Sequence, residues 1–453
     1  MPRSSLVSRW FASASAVDQM LEYAMGQRKS NPDMAVDVLL SGLSYSSPEA
    51  DPLGAARLHL AVASVEAERL GWAKVQSHAG NGMRLALPAA AKGAGDAAGL
   101  AVAAGGLAVR AALVQGADSE AVSAATELSK GLAAAPGPAQ ARALGLAAIA
   151  SAASGAASTS ASVGELAAAL AAADAPAGLL TAAPEAADSG AALGLLRLAE
   201  GPGGRQAAGA VLAAAAAAAK AAAAAAPGLV GKEAWAQHSN EVEAECLALR
   251  AQLHMAAREW SEAEELLGQA LKAAEAAHGE RSPALAPLLT LLGYTYSRSA
   301  RVTFGEGLYR EAAKLLRLDP ARIALQAAQH AQQAQHDAEQ GGGGGGAAVA
   351  AEGEQRRLAL DASAAAAALG VHASVAAVLS WRHAQLLWVL PNRGGEAERW
   401  EKAARYFWAG SGGAVAGSDP AAVLGGQGHL KGEGPEGQGL LLSSRFRRAL
   451  PCA

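Results

Sequence analysis

At 453 residues the chain is long enough for two or three average domains or one long repeat array. Hydrophobic residues reach 51% but aromatics only 4%, so a core must come mainly from alanine, leucine and valine, which suits close-packed helices and argues against a β-sandwich. A formal net charge of −4 argues against a nucleic-acid-binding surface, and the two cysteines, Cys246 and Cys452, imply neither a disulfide framework nor a cysteine zinc site.

Residues 1–17 hold Arg3, Arg9 and five serines, with no acid before Asp18. Leu6, Val7, Trp10, Phe11 and Ala14 fall at helical spacing beside the arginines. That is the profile of an organelle transit peptide, and Arg9-Trp10-Phe11 before Ala12 is similar to a mitochondrial cleavage pattern. The expected location is mitochondrial, in the matrix or at the inner membrane, with plastid and cytoplasm as alternatives.

Residues 18–87 read as helical hairpins. Pro32 sits where a first helical turn accepts proline, Ser47-Pro48 and Asp51-Pro52 mark a loop, and Trp72 to Leu87 pairs with Leu53 to Leu70. Residues 88–228 are rich in Ala, Gly and Ser. Glycine and proline breakers spaced by some 20–25 residues predict degenerate helical repeats there, burying little area each. The uncharged run between Arg142 and Glu165 and the alanines around Lys220 have too few strongly apolar residues to predict a transmembrane span.

Residues 229–340 carry the clearest signal. Leu247, Ala251, His254, Ala263, Leu267 and Ala270 are echoed by Leu289, Gly293, Tyr296, Gly305, Tyr309 and Ala312, each pair 42 positions apart. A fixed period of this size predicts stacked helical hairpins, so the expected fold is an all-α solenoid. Gly341–Gly346 opens a linker over 341–354, and 355–408 reads as a further degenerate hairpin containing Trp381, Trp388, Trp400 and Phe407. Residues 409–453 read as a disordered Gly-rich tail whose end, with Leu440–Leu442 and Arg445-Phe446-Arg447-Arg448, suggests a short basic amphipathic helix.

Residues 241–319 resemble tetratricopeptide repeats of the 42-residue, kinesin-light-chain type. Small residues stand at Ala251, Ala263, Ala270, Gly293, Gly305 and Ala312, with Tyr296 at a packing position; His254 departs from the pattern. Ser282-Pro283 and Asp319-Pro320 resemble the joints between such repeats. The resemblance implies a protein-binding groove, onto which Gln252, Met255, Tyr294, Ser297 and Arg298 project. It implies protein partners and, by analogy alone, a part in respiratory-complex assembly. A structural subunit of an organellar complex and a cytosolic adaptor are the other readings.

No pattern predicts catalysis or a cofactor. The glycine run lacks a phosphate-loop ending, no His-Glu-x-x-His occurs, and His330 and His336 do not share a helix face. Cys246 reads as a small core residue, and the chain is expected not to be an enzyme.

Overall fold

The computed structural model describes residues 16–94, 96–134, 137–155, 159–172, 184–200, 203–224, 232–340, 346–412, 418–425 and 440–451. Residues 1–15, on which most of the expected transit peptide falls, and the stretch 341–345 lie outside them.

The described chain is all-α apart from one short hairpin. Helices α1 (Ala16–Gln27), α2 (Pro32–Tyr45), α3 (Pro52–Glu68) and α4 (Trp72–Ala91) come first. Asn31 and Asp51 cap α2 and α3 by accepting from the backbone N–H of Met34 and Gly54, each with a proline in the first turn. The Ala-rich stretch forms α5 (Ala97–Gln115), α6 (Asp118–Gly131), α7 (Pro138–Ser154), α8 (Thr159–Ala172), α9 (Pro184–Ala199) and α10 (Arg205–Ala224). The echoed region forms α11 (Lys232–Ala256), α12 (Trp260–His278), α13 (Ala286–Arg298) and α14 (Val302–Leu315). Then come α15 (Pro320–Gln340), α16 (Gly346–Ala368), α17 (Ala373–Trp388), α18 (Gly394–Ala409) and the single turn α19 (Pro420–Leu424).

One turn recurs among the described residues. Leu70, Gly116, Arg258, Ala300 and Asn392 all take positive φ, between 60° and 71°, and each lies two residues before the next helix begins. The backbone N–H of Gly71, Ala117, Glu259 and Arg301 each donates to a carbonyl five residues earlier, at 2.9 Å. These are the bonds that close a helix on a left-handed residue. The pairs α3/α4, α5/α6, α11/α12, α13/α14 and α17/α18 are therefore helical hairpins with one shared joint, and each pair packs together.

Small residues set the spacing between helices. Ala251, Ala263, Ala270 and Ala312 are fully buried. A Cβ at Gly293 would meet the Tyr309 ring at 2.9 Å, and one at Gly305 would meet the Gly293 carbonyl at 3.0 Å. The Ala-rich helices use the same device: a Cβ at Gly145 would lie 3.0 Å from Ala192, and one at Gly190 3.0 Å from Ala215. Their packing is closer than composition alone suggests, because alanine and glycine let backbones approach.

Three readings of the sequence are corrected. Residues 346–354, expected as linker, belong to α16. Residues 420–424 and 440–451, inside the expected disordered tail, form α19 and an antiparallel hairpin, β1 (Leu440–Ser443) with β2 (Arg448–Pro451), in place of an amphipathic helix. Among the described residues two helices, α5 and α10, are long and apolar enough by composition to cross a membrane, and the pair Gln355–Ala368 with Ala373–Trp388, bent by 86°, is a third candidate. The valines and leucines among the alanines lift α5 to that threshold; in this fold much of it is buried against protein.

The two largest core clusters divide the molecule between them. One runs from Ala56 to Leu253 and the other from Ala244 to Leu424, and the hairpin joins them. Leu441 and Leu450, paired across the strands, enter the first; Leu442 and Ala449, the next pair, enter the second. Alternation along a strand sends successive side chains to opposite faces, so twelve residues tie both halves together.

Candidate functional site

The hairpin fills an interior walled by helices far apart in sequence, and polar groups hold it there. Leu442 is clamped by one side chain: Gln252 Nε2 donates to its carbonyl at 3.0 Å, and its N–H donates to Gln252 Oε1 at 2.9 Å. Two turns earlier on α11, Glu245 receives the hairpin's bend. Ser443 Oγ donates to Oε1 at 2.6 Å, while the N–H and Oγ of Ser444 and the N–H of Arg445 donate to Oε2 at 2.7–3.1 Å. On the other side the N–H of His372 donates to the Arg447 carbonyl and Ser374 Oγ accepts from the Ala449 N–H, both at 2.9 Å. These helix-borne groups satisfy strand edges that would otherwise be buried without partners.

Three arginines at the bend enter separate sockets. The Arg445 guanidinium grips both oxygens of Asp188, with Nη2 to Oδ2 at 2.8 Å. Arg448 takes both oxygens of Asp118, again with one bond at 2.8 Å, and reaches the carbonyls of Leu113 and Ala153. Arg447 donates to the Gly370 carbonyl at 3.0 Å and lies over the Trp72 ring. All three are buried.

Further charges line the wall. Arg142 also pairs with Asp188, and Arg110 with Glu241 at 3.1 Å, beside His238 and His278. Burial pushes against the charged form of Asp188 and Glu241, yet Arg445 and Arg142 hold the first well below the carboxylate range, and Arg110 with His278 brings the second to about 2. Burial, then the neighbouring Arg142, lowers His238 to about 3; burial also lowers His278 to about 4, against Glu241. Burial and the nearby Arg110 bring Arg447 down to about 9.

Of the residues projected onto a groove, Gln252, Met255 and Tyr294 lie together along one cleft of about 120 Å³, whose opposite side is Leu440–Leu442 of the hairpin. Tyr294 sits under the Arg382 guanidinium, 4.3 Å from the ring centroid, and edge-on to Trp260. Ser297 and Arg298 lie apart from that cleft: Ser297 Oγ donates to the Gly293 carbonyl, and Arg298 stacks over Trp260. No protein-family model matches the chain, and no curated protein matches it either.

Sequence reasoning missed Asp118, Asp188, Glu241 and Glu245, and it placed the arginines on a short basic amphipathic helix. The available signal was an acid inside otherwise apolar helical text, as at Asp188 between Ala187 and Ser189, with an arginine cluster elsewhere to match it. Cys246 is fully buried, and burial raises its thiol far above the ordinary range.

Proposed function

We propose that this chain is a non-enzymatic, protein-binding scaffold of the tetratricopeptide type that works in mitochondria. The observation that carries the reading is the Gln252 clamp on Leu442. A side chain on a helical wall grips an extended main chain through its N–H and C=O together, a contact that can hold a peptide segment whatever its side chains. The recurring left-handed joint, with Arg258 and Ala300 at the 42-residue spacing, supports the repeat type. The inert thiol of Cys246 speaks against a nucleophile there.

Mitochondrial location rests on the composition of residues 1–17, and a role in respiratory-complex assembly on analogy. A permanently assembled subunit is the second reading. A tryptophan-rich patch near 381–408 would suit burial in such an assembly, but Trp381, Trp400 and Phe407 are consumed by the chain's own core.

The test is affinity purification of the tagged protein from fractionated cells, reading its mature N-terminus and its co-purifying proteins. A start at or soon after Ala12 with stoichiometric mitochondrial partners supports the reading. An intact Met1 with cytosolic partners overturns the location, and purification without partners overturns the scaffold.

A further inference from the structure

We propose that the interior around the hairpin is a binding site for arginine-bearing extended segments of a partner protein, and that residues 440–451 are its occupant in cis, so that the chain holds its own site shut. The proposal rests on the protein-binding reading and adds the chemistry of the partner and the way access to it is controlled.

The kind of contact is the first argument. A segment that belongs only to a core is held by apolar packing; this hairpin has that packing, through Leu441, Leu442, Phe446, Ala449 and Leu450, but its bend is held by main-chain hydrogen bonds and ion pairs as well. Glu245 alone accepts four bonds from three consecutive residues, and Gln252 takes both polar groups of a fourth. Buried ion pairs of this kind add little net stability against an apolar alternative of the same shape, but they discriminate strongly among ligands.

Charge complementarity is the second. Asp118, Asp188, Glu241 and Glu245 face the interior from α6, α9 and α11. The wall supplies Arg142 for Asp188 and Arg110 for Glu241. The groups that the structure gives to Glu245 and Asp118 come from the hairpin. An empty interior would therefore present acids, and the guanidinium fork fits two of them with paired bonds, at Asp188 and Asp118.

The tether is the third. Residues 426–439 include six glycines and one proline, and fourteen residues can span up to about 50 Å. A cis ligand on such a tether competes at an effective concentration of order millimolar. A partner carrying the same chemistry must outcompete it, and modest affinity alone will not open the site.

The experiment uses the full chain with a protease site placed at 431–436, where cleavage leaves 440–451 seated but no longer covalently held. A dye-labelled peptide of residues 440–451 is added, and anisotropy follows its uptake while circular dichroism follows helix content. The expected result is uptake by cut protein, none by uncut protein, and unchanged helicity. A peptide with Arg445→Ala and Arg448→Ala should compete roughly 100-fold less well or worse, and one with both arginines changed to lysine should also lose, because the paired bonds need the fork. Three outcomes overturn the proposal: a seated segment that never exchanges under excess peptide, helices that melt as it leaves, or alanine peptides that compete equally. Uncut copies that swap hairpins into dimers would assign the site to a second copy of this chain and overturn the partner reading. None of these outcomes touches co-purification, on which the scaffold reading stands or falls separately.

Discussion

Arg445 closes onto Asp188 across 257 positions of sequence, and both are buried. Arg142 approaches the same carboxylate from α7, so one acid serves a wall cation and a hairpin cation at once. Arg445→Met removes only the second. The expected loss is about 3–5 kcal/mol, the usual effect of breaking a buried pair from one side. Asp188→Asn should cost a similar amount, and the double variant less than the sum, by about 1–3 kcal/mol of coupling. Urea denaturation of the four proteins gives the cycle; strict additivity would mean that the two side chains do not act on each other.

Acid should destabilise the fold well above the carboxylate range. Burial lowers His238 and His383 to about 3 and His278 to about 4, whereas an unfolded histidine titrates near 6.5. Above about pH 6.5 neither state takes up the proton, and the stability is fully present. As pH falls below that, the unfolded chain gains protons that the fold refuses, and stability drops by at most about 1.4 kcal/mol per pH unit for each histidine. Between pH 6.5 and 5 that is up to about 2 kcal/mol each. Asp188 and Glu241 add a second loss below about pH 4, because their folded forms resist protonation. Denaturation midpoints at pH 7.5, 6.5 and 5.0 check the sign, and a midpoint that rises on acidification would contradict it.

Two glycines of α14 should respond in opposite directions. Gly305 faces α13, and a Cβ there meets the Gly293 carbonyl, which cannot swing aside. Gly305→Ala should lower stability by about 1–3 kcal/mol. Gly307, two residues on, is exposed with open space around its Cβ position. Gly307→Ala should raise stability by about 0.5–1 kcal/mol through helix propensity alone. Thermal melts of the two variants separate packing from propensity.

The recurring joint predicts a gain from glycine where most helices would lose. Ala300 carries φ 61°, a conformation that disfavours any residue with a Cβ. Ala300→Gly should stabilise by about 0.5–1 kcal/mol, and Arg258→Gly in the same direction. Asn392→Gly should gain least, because asparagine tolerates that region better than other residues with side chains. A loss of stability in all three would show that the joint is held by side-chain contacts.

The helices were legible because their causes are local. Asn31-Pro32 and Ser282-Pro283 cap or open helices through atoms a few residues away, and the echo of Ala251 in Gly293 reflects packing repeated at a fixed distance. The Ala-rich helices could be placed from their breakers, but not how closely they pack, since that depends on which glycine faces which alanine. The hairpin was illegible for the opposite reason. Its strands are four residues each, and their partners stand some 75 to 335 residues away, at Ser374, Gln252, Glu245, Asp188 and Leu113. Nothing within Leu440–Pro451 records those partners, so a leucine run followed by arginines reads locally as an amphipathic helix. Three of the five residues projected onto a groove share one cleft, but the acids beyond it follow no repeat position.

The order in which the chain is made gives the hairpin a consequence in time. Asp118, Asp188 and Glu245 leave the ribosome long before the residues that neutralise or bond them, and at about 5–20 residues per second the gap between Asp188 and Arg445 is roughly 10–50 s. During that interval the helical hairpins can form, because their joints are local, while the acid-lined interior stays open to water. Every newly made molecule therefore passes through a stage in which another arginine-bearing segment could reach the site first, and nascent chains stalled before residue 440 would keep that state for capture.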